Sequence, residues 1–145
     1  MVHFKNGVLG GVMLAMSGAV QAIEFTVTVT GVDVARGGSV MVFVFSEEGF
    51  PKKHEKALLV QKSNALDETM RFTFTMPLEE LAVKVLHDEN GDGKVSKNWT
   101  GVYPKEGLGF SNDQRLGMFG PPSYDGAKVS REVFVNGLSI QVIYP

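Results

Sequence analysis

From Glu24 onward the chain alternates with a period of two, and that rhythm decides its fold class. In Phe25-Thr26-Val27-Thr28-Val29-Thr30 the apolar groups fall on one face and the threonines on the other, the pattern of a strand with one buried face. Arg71 to Met76 repeats it. Val40-Met41-Val42-Phe43-Val44-Phe45 and Leu81-Ala82-Val83-Lys84-Val85-Leu86 are instead apolar almost throughout, as expected of strands covered on both sides. Arg36-Gly37-Gly38-Ser39 supplies residues that tolerate positive φ, which predicts a hairpin between the first two strands. Pro77 to Glu80 predicts a second hairpin, and Asn136-Gly137, between Val133-Phe134-Val135 and Leu138-Ser139-Ile140, predicts a type I′ hairpin at the end of the chain. A helical pattern occurs only over Pro51 to Gln61. No βαβ rhythm is present. The expected fold is all-β, an antiparallel β-sandwich of immunoglobulin-like or transthyretin-like form with about seven strands, one short helix and one long ordered loop; a closed barrel is the alternative.

The start of the chain reads differently. Met1 to Asn6 carries His3 and Lys5, and Gly7 to Val20 is uncharged and apolar, ending at Val20-Gln21-Ala22. This is the layout of a signal peptide over residues 1–22, too short to span a bilayer, with Ile23 as the expected mature start and a single domain over 23–145. Ser17-Gly18-Ala19 is a competing cleavage site, and an uncleaved anchor is the other reading. The expected location is periplasmic or secreted, with no integral membrane span after cleavage. The absence of cysteine excludes a lipoprotein anchor, disulfides and thiol chemistry. With 14 basic against 16 acidic residues and a net charge of -2, no polybasic field exists to attract nucleic acid.

Between Val95 and Gly126 no convincing strand appears, far beyond a usual connection of about four to six residues. Long ordered loops are commonly functional, and this one carries Trp99, Tyr103, Phe110, Phe119 and Tyr124 among glycines. The aromatics could stack on a sugar or contact an envelope protein; equally, they could fold back to seal one end of the sandwich. Just before the loop, His87-Asp88-Glu89-Asn90-Gly91-Asp92-Gly93-Lys94-Val95-Ser96 places oxygen side chains at Asp88, Asn90, Asp92 and Ser96. These occupy positions 1, 3, 5 and 9 of a calcium loop, with Gly93 at the turn and Lys94 offering its backbone carbonyl. Trp99 stands at the twelfth position, where such a loop needs a bidentate Glu. The missing ligands must then come from elsewhere, with Asn98, Glu106, Asp113 and Asp125 as candidates. The same Asp and Asn residues also make simple Asx-turns, and both readings stay open.

Catalytic candidates are few. His87 shares strand parity with Val83 and Val85, which places its ring inward as a core residue. His54, among lysines, reads as a solvated surface residue. Gly109-Phe110-Ser111-Asn112 is not a Gly-x-Ser-x-Gly elbow, which argues against a serine hydrolase. Carboxylate pairs drawn from Glu47, Glu48, Glu89 and Glu106 are the remaining acid–base candidates. Asn98-Trp99-Thr100 is formally a glycosylation sequon.

Four blocks carry a family resemblance: Val42 to Pro51, with Ser46-Glu47-Glu48-Gly49-Phe50; Ala82 to Lys94, with the His-Asp-Glu-Asn-Gly-Asp-Gly core; Pro104-Lys105-Glu106-Gly107-Leu108-Gly109-Phe110-Ser111-Asn112; and Gly120 to Ala127. Together they resemble the exported bacterial proteins known as domain of unknown function 2141. The resemblance implies a periplasmic or secreted β-sandwich, similar to transthyretin-like domains and bacterial surface-protein repeats; no activity is established for the family, so it implies fold and export and not chemistry. Three departures stand out: Ser96 replaces a usual Asp, Glu80-Leu81 replaces Gly-Tyr, and Val102-Tyr103 lengthens the step from Gly101 to Pro104. The first removes a potential metal carboxylate. The leading expectation is an exported, non-enzymatic domain with no catalytic residues. In it Asp88, Asn90, Asp92, Lys94 and Ser96 hold calcium, and Trp99, Tyr103, Glu106 and Phe110 contact a ligand. The alternatives are a hydrolase using Glu106 or Asp88 with His87, and a structural adhesion or assembly module.

Overall fold

The structure, a computed structural model, describes residues 21–95 and 105–145. Of the expected signal segment over residues 1–22, residues 1–20 lie outside them. Among the described residues no helix is long and apolar enough to cross a membrane.

Strands β1 (Ile23–Thr30), β2 (Ser39–Phe45), β3 (Leu59–Asn64), β4 (Met70–Met76), β5 (Glu80–Asp88), β6 (Leu108–Phe110), β7 (Val129–Ser130) and β8 (Leu138–Gln141) are joined by two helical turns, α1 (Tyr124–Ala127) and α2 (Arg131–Phe134). The first sheet runs β4-β1-β8 and the second β3-β2-β5-β6, with β7 paired to the start of β5. Pairing is antiparallel except that β8 joins β1 in parallel. The fold is an all-β sandwich, as the alternation requires.

Each strand's own pattern explains its sheet. Phe25, Val27 and Val29 of β1, Phe72 and Phe74 of β4, and Leu138 and Ile140 of β8 point inward, while their threonines, arginine and serine face water. In the second sheet Val40, Val42, Val44, Leu81, Val83 and Val85 meet that layer, and Phe43, Phe45 and Leu86 form a second apolar cluster on the opposite face with Leu108 and Phe110. Phe50 and Ala57, from the segment after β2, cover this outer cluster. Strands apolar on both faces need a cover on each, so they are sorted into the second sheet and half-polar strands into the first.

None of the three expected hairpins forms, and this sorting overturns two of them. β1 pairs with β4 and β8 while β2 pairs with β3 and β5, so Val34–Arg36, a single 3₁₀ turn capped by Asp33, carries the chain from one sheet to the other. Likewise β4 and β5 lie in different sheets. At the C-terminus Val133-Phe134 is helical, with Phe134 fully buried 4.9 Å from the Phe25 ring and Val133 and Val135 exposed. Gly137, at φ 91, donates to the Phe134 carbonyl, so Asn136-Gly137 closes a helical turn; the left-handed glycine that suits a type I′ turn suits a helix C-terminus equally.

The helix expected over Pro51 to Gln61 is also corrected. Only His54–Lys56 makes a 3₁₀ turn, and Leu59–Asn64 is an edge strand in register with β2 from Val44↔Leu59 to Ser39↔Asn64. The ladder hydrogen bonds that β2 offers outweigh the weak helical pattern. Within the long connection β6 is a strand the sequence pattern does not reveal, three residues long and centred on Gly109.

Candidate functional site

Asp88 closes β5, and its neighbours are set by register. Leu86 faces Leu108 and the His87 N–H donates to the Gly107 carbonyl at 2.9 Å, so the same antiparallel register places Glu106 beside Asp88. Glycine is needed here for approach: a Cβ on Gly107 would lie 2.5 Å from the Tyr144 ring and from Val142, and one on Gly109 would lie 2.7 Å from Ile140. Carboxylate oxygens of Asp88, Asp92 and Glu106 lie within 4.8 Å of one another; Asp88 and Glu106 are buried and Asp92 is exposed.

The turn from Asp88 to Lys94 is built by its own side chains. Asp88 accepts from the N–H groups of Gly91 at 3.0 Å and Gly93 at 2.7 Å; Asn90 Oδ1 accepts from the Asp92 N–H at 3.2 Å, and Asp92 Oδ1 from the Lys94 N–H at 2.9 Å. Gly91 and Gly93 take φ of 77° and 72°, the left-handed region that favours glycine. Glu106 Oε2 accepts from the Glu89 N–H at 2.6 Å, tying the start of β6 to this turn. Arg36 pairs with Glu89 at 3.0 Å and with Asp33 at 3.1 Å, and its guanidinium lies 4.4 Å from the Tyr144 ring centroid. The donor set is oxygen alone, which suits a hard cation. Asp88, Asn90, Asp92 and Glu106 come together in this way. Ser96, Asn98, Trp99 and Tyr103 lie outside the described residues. Asp113 and Asp125 do not join the carboxylate group.

His87 faces the other way. Its Nε2 lies 2.6 Å from the Gly37 carbonyl, which can only accept, and its Nδ1 lies 2.6 Å from the Tyr144 hydroxyl, which itself accepts from the Asp33 N–H at 2.8 Å. The Gly37 carbonyl therefore accepts from Nε2–H, which leaves Nδ1 to accept from the Tyr144 hydroxyl. Both nitrogens are committed, as expected of a core histidine. Because successive strand residues point to opposite faces, His87 and Asp88 leave β5 on opposite sides.

The pair missed in the sequence is His54 and Lys84. Lys84 projects from β5 on the same face as Leu86 and Asp88, 4% exposed, and donates through Nζ to the Pro51 carbonyl at 2.9 Å and to His54 Nε2 at 2.9 Å. His54 stacks on Phe43 with ring centroids 4.1 Å apart, and its Nδ1 donates to the Gly93 carbonyl at 3.1 Å. It is thus half-buried and engaged, contrary to the solvated residue its lysine-rich surroundings suggest. Burial, reinforced by the Lys84 charge, holds the imidazole below its usual range, and burial pushes the Lys84 ammonium down to about 8. The available sequence signal was a lone lysine in an otherwise apolar strand. Gly93 links the two regions, donating to Asp88 and accepting from His54.

A cleft of about 840 Å³ opens over Lys84 and His54, walled by Leu108, Phe110 and Leu116 to Pro121. Phe110 itself is buried in the outer cluster and contributes to this wall. A family model described as "Uncharacterized protein conserved in bacteria (DUF2141)" matches residues 27–134. No curated protein and no solved structure matches the chain.

Proposed function

The chain belongs to this uncharacterized bacterial family, and we propose that it is an exported, non-enzymatic β-sandwich domain whose Asp88 to Glu106 junction holds one calcium ion. The observation that carries the reading is the convergence of Asp88, Asp92 and Glu106 within 4.8 Å. Asp88 and Asp92 stand at the first and fifth positions of the loop, and Glu106, from the far end of the long connection, takes the part of the acidic ligand that Trp99 at the twelfth position cannot supply. Asn90 and the Lys94 carbonyl would complete an oxygen set. Two buried carboxylates side by side repel one another, and a divalent cation between them removes that repulsion while fixing the loop. The charged, then apolar, start of the chain and its small residues at Val20-Gln21-Ala22 support export to a calcium-containing compartment.

Thermal unfolding in calcium against EDTA tests the reading. Extracellular calcium modules bind at roughly 10⁻⁴ to 10⁻³ M; at about tenfold excess over Kd the native state gains about 1.4 kcal/mol, enough to raise the midpoint by several degrees. The shift should vanish in an Asp88→Ala, Asp92→Ala double variant and in Glu106→Gln, and magnesium should not reproduce it. An unchanged midpoint of the parent protein in calcium and in EDTA would refute the site.

A further inference from the structure

We propose that the cleft over the outer face of the second sheet binds a small organic monocarboxylate with an apolar body, whose carboxylate is received by the Lys84 ammonium. The inference does not rest on the calcium reading: Lys84, His54 and the apolar walls carry it, although Asp92 and Lys94 of the turn also border the cleft.

Lysine is almost never buried unless paired with an opposite charge. Lys84 is 4% exposed, yet among the described residues its nitrogen meets a carbonyl and an imidazole and no carboxylate. The imidazole is neutral in this arrangement, since the Gly93 carbonyl can only accept and so fixes the His54 proton on Nδ1. An ammonium has three N–H donors, and two are used, by Pro51 and His54. The third is left for a guest, in a position held by the stacked His54 ring. Among the described residues no carboxylate opposes the burial that lowers the Lys84 proton affinity, so an anion from outside would meet a positive charge that they leave uncompensated.

The walls specify the rest of the ligand. Leu108, Phe110, Leu116, Met118 and Phe119 line the cleft, with Met118 92% and Phe119 100% exposed. Adjacent in the chain and bordering the same cleft, they form a contiguous apolar rim, the kind of exposed patch that marks a contact surface. A volume of about 840 Å³ falls in the range of small-molecule sites. Inorganic anions would use the ammonium and leave the walls wet, whereas a neutral apolar molecule would use the walls and leave the charge unmet. The other charged groups on the lining, Lys52, Lys94, Glu55 and Asp92, are all exposed. They are therefore screened more strongly than Lys84.

Calorimetric titration of the purified protein in EDTA decides the matter, with 2-naphthoate and decanoate as probes, 2-naphthamide and 1-decanol as their neutral counterparts, and acetate as the headgroup alone. Both carboxylates should bind at least tenfold more tightly than their neutral counterparts, and acetate should give no heat. Lys84→Met should weaken the carboxylates at least tenfold and leave the neutral compounds unchanged, and Phe119→Ser should weaken both carboxylates several-fold. Should Lys84→Met fail to fold, the carboxylate-to-neutral ratio in the parent protein and the Phe119→Ser result are sufficient. Absence of binding by both carboxylates, equal affinity for charged and neutral probes, or a folded Lys84→Met protein that binds like the parent would overturn the proposal. So would binding of acetate as tightly as decanoate.

Discussion

At Gly38 a methyl group has nowhere to go. A Cβ there would lie 2.3 Å from the Asp88 carbonyl oxygen and 2.7 Å from the Glu89 Cα, and the residue's φ is +68°. Gly91 has a φ of +77° with nothing within 4 Å, which makes it the control. Gly91→Ala should cost about 1 kcal/mol, from backbone conformation alone, and Gly38→Ala at least about 2 kcal/mol, since the Asp88 turn must also shift. Urea unfolding measures both, and equal costs would mean that the close approach contributes nothing. Lys84 makes a prediction of another kind. The unfolded chain holds that proton to near 10.5 and the folded chain to about 8, so between these values the unfolded state binds more protons and stability rises with pH. The stability of the parent relative to Lys84→Met should therefore increase by about 2 kcal/mol from pH 7 to pH 9.5. A pH-independent difference between the two proteins would contradict the burial of this charge. The lone lysine was visible in the sequence, but its partner was not, because His54 lies thirty residues away in the chain and only the fold of the segment after β2 brings the two together.

At the scale of elements, β1, β2, β4, β5 and β8 were legible as strands, β3 and β6 were not, and no strand's partner was. The period-two alternation of β1 and β4, and the double-sided apolarity of β2 and β5, are local properties that any covering would satisfy. Two of the expected hairpins assumed that adjacent strands pair, whereas the connections from β1 to β2 and from β4 to β5 cross between sheets, so that β1 and β2 bury facing surfaces. The end of the chain shows the same effect in one residue. Val133-Phe134-Val135 alternates like a strand, but a helical turn lets Phe134 alone enter the core against Phe25. Phe134→Ala should cost about 3–5 kcal/mol, and Val133→Ala, at an exposed position, much less. If α2 were instead a solvent-facing turn with no packing role, the two substitutions would be equally mild in chemical denaturation.

For the whole molecule, β8 is the closing piece. It lies parallel to β1 from Val27↔Leu138 to Thr30↔Gln141, and the residues after it deliver Tyr144 to Asp33 and His87 and Ile143 to Leu108. A chain ending at Asn136 should therefore lose cooperative unfolding and its near-ultraviolet circular dichroism. A sharp two-state transition in that truncated protein would show that β8 is an accessory strand. By itself the sequence determined the all-β class, the strands with one or two buried faces, and the oxygen-rich turn from Asp88 to Lys94, because alternation, glycine and Asx chemistry act over a few residues. Only the tertiary structure decided which strands meet, that Glu106 stands beside Asp88, and that Lys84 and His54 share the floor of a cleft. Those outcomes depend on register across strands distant in sequence, where the free energy comes from covering both faces of β2 and β5 and no local pattern records the partner.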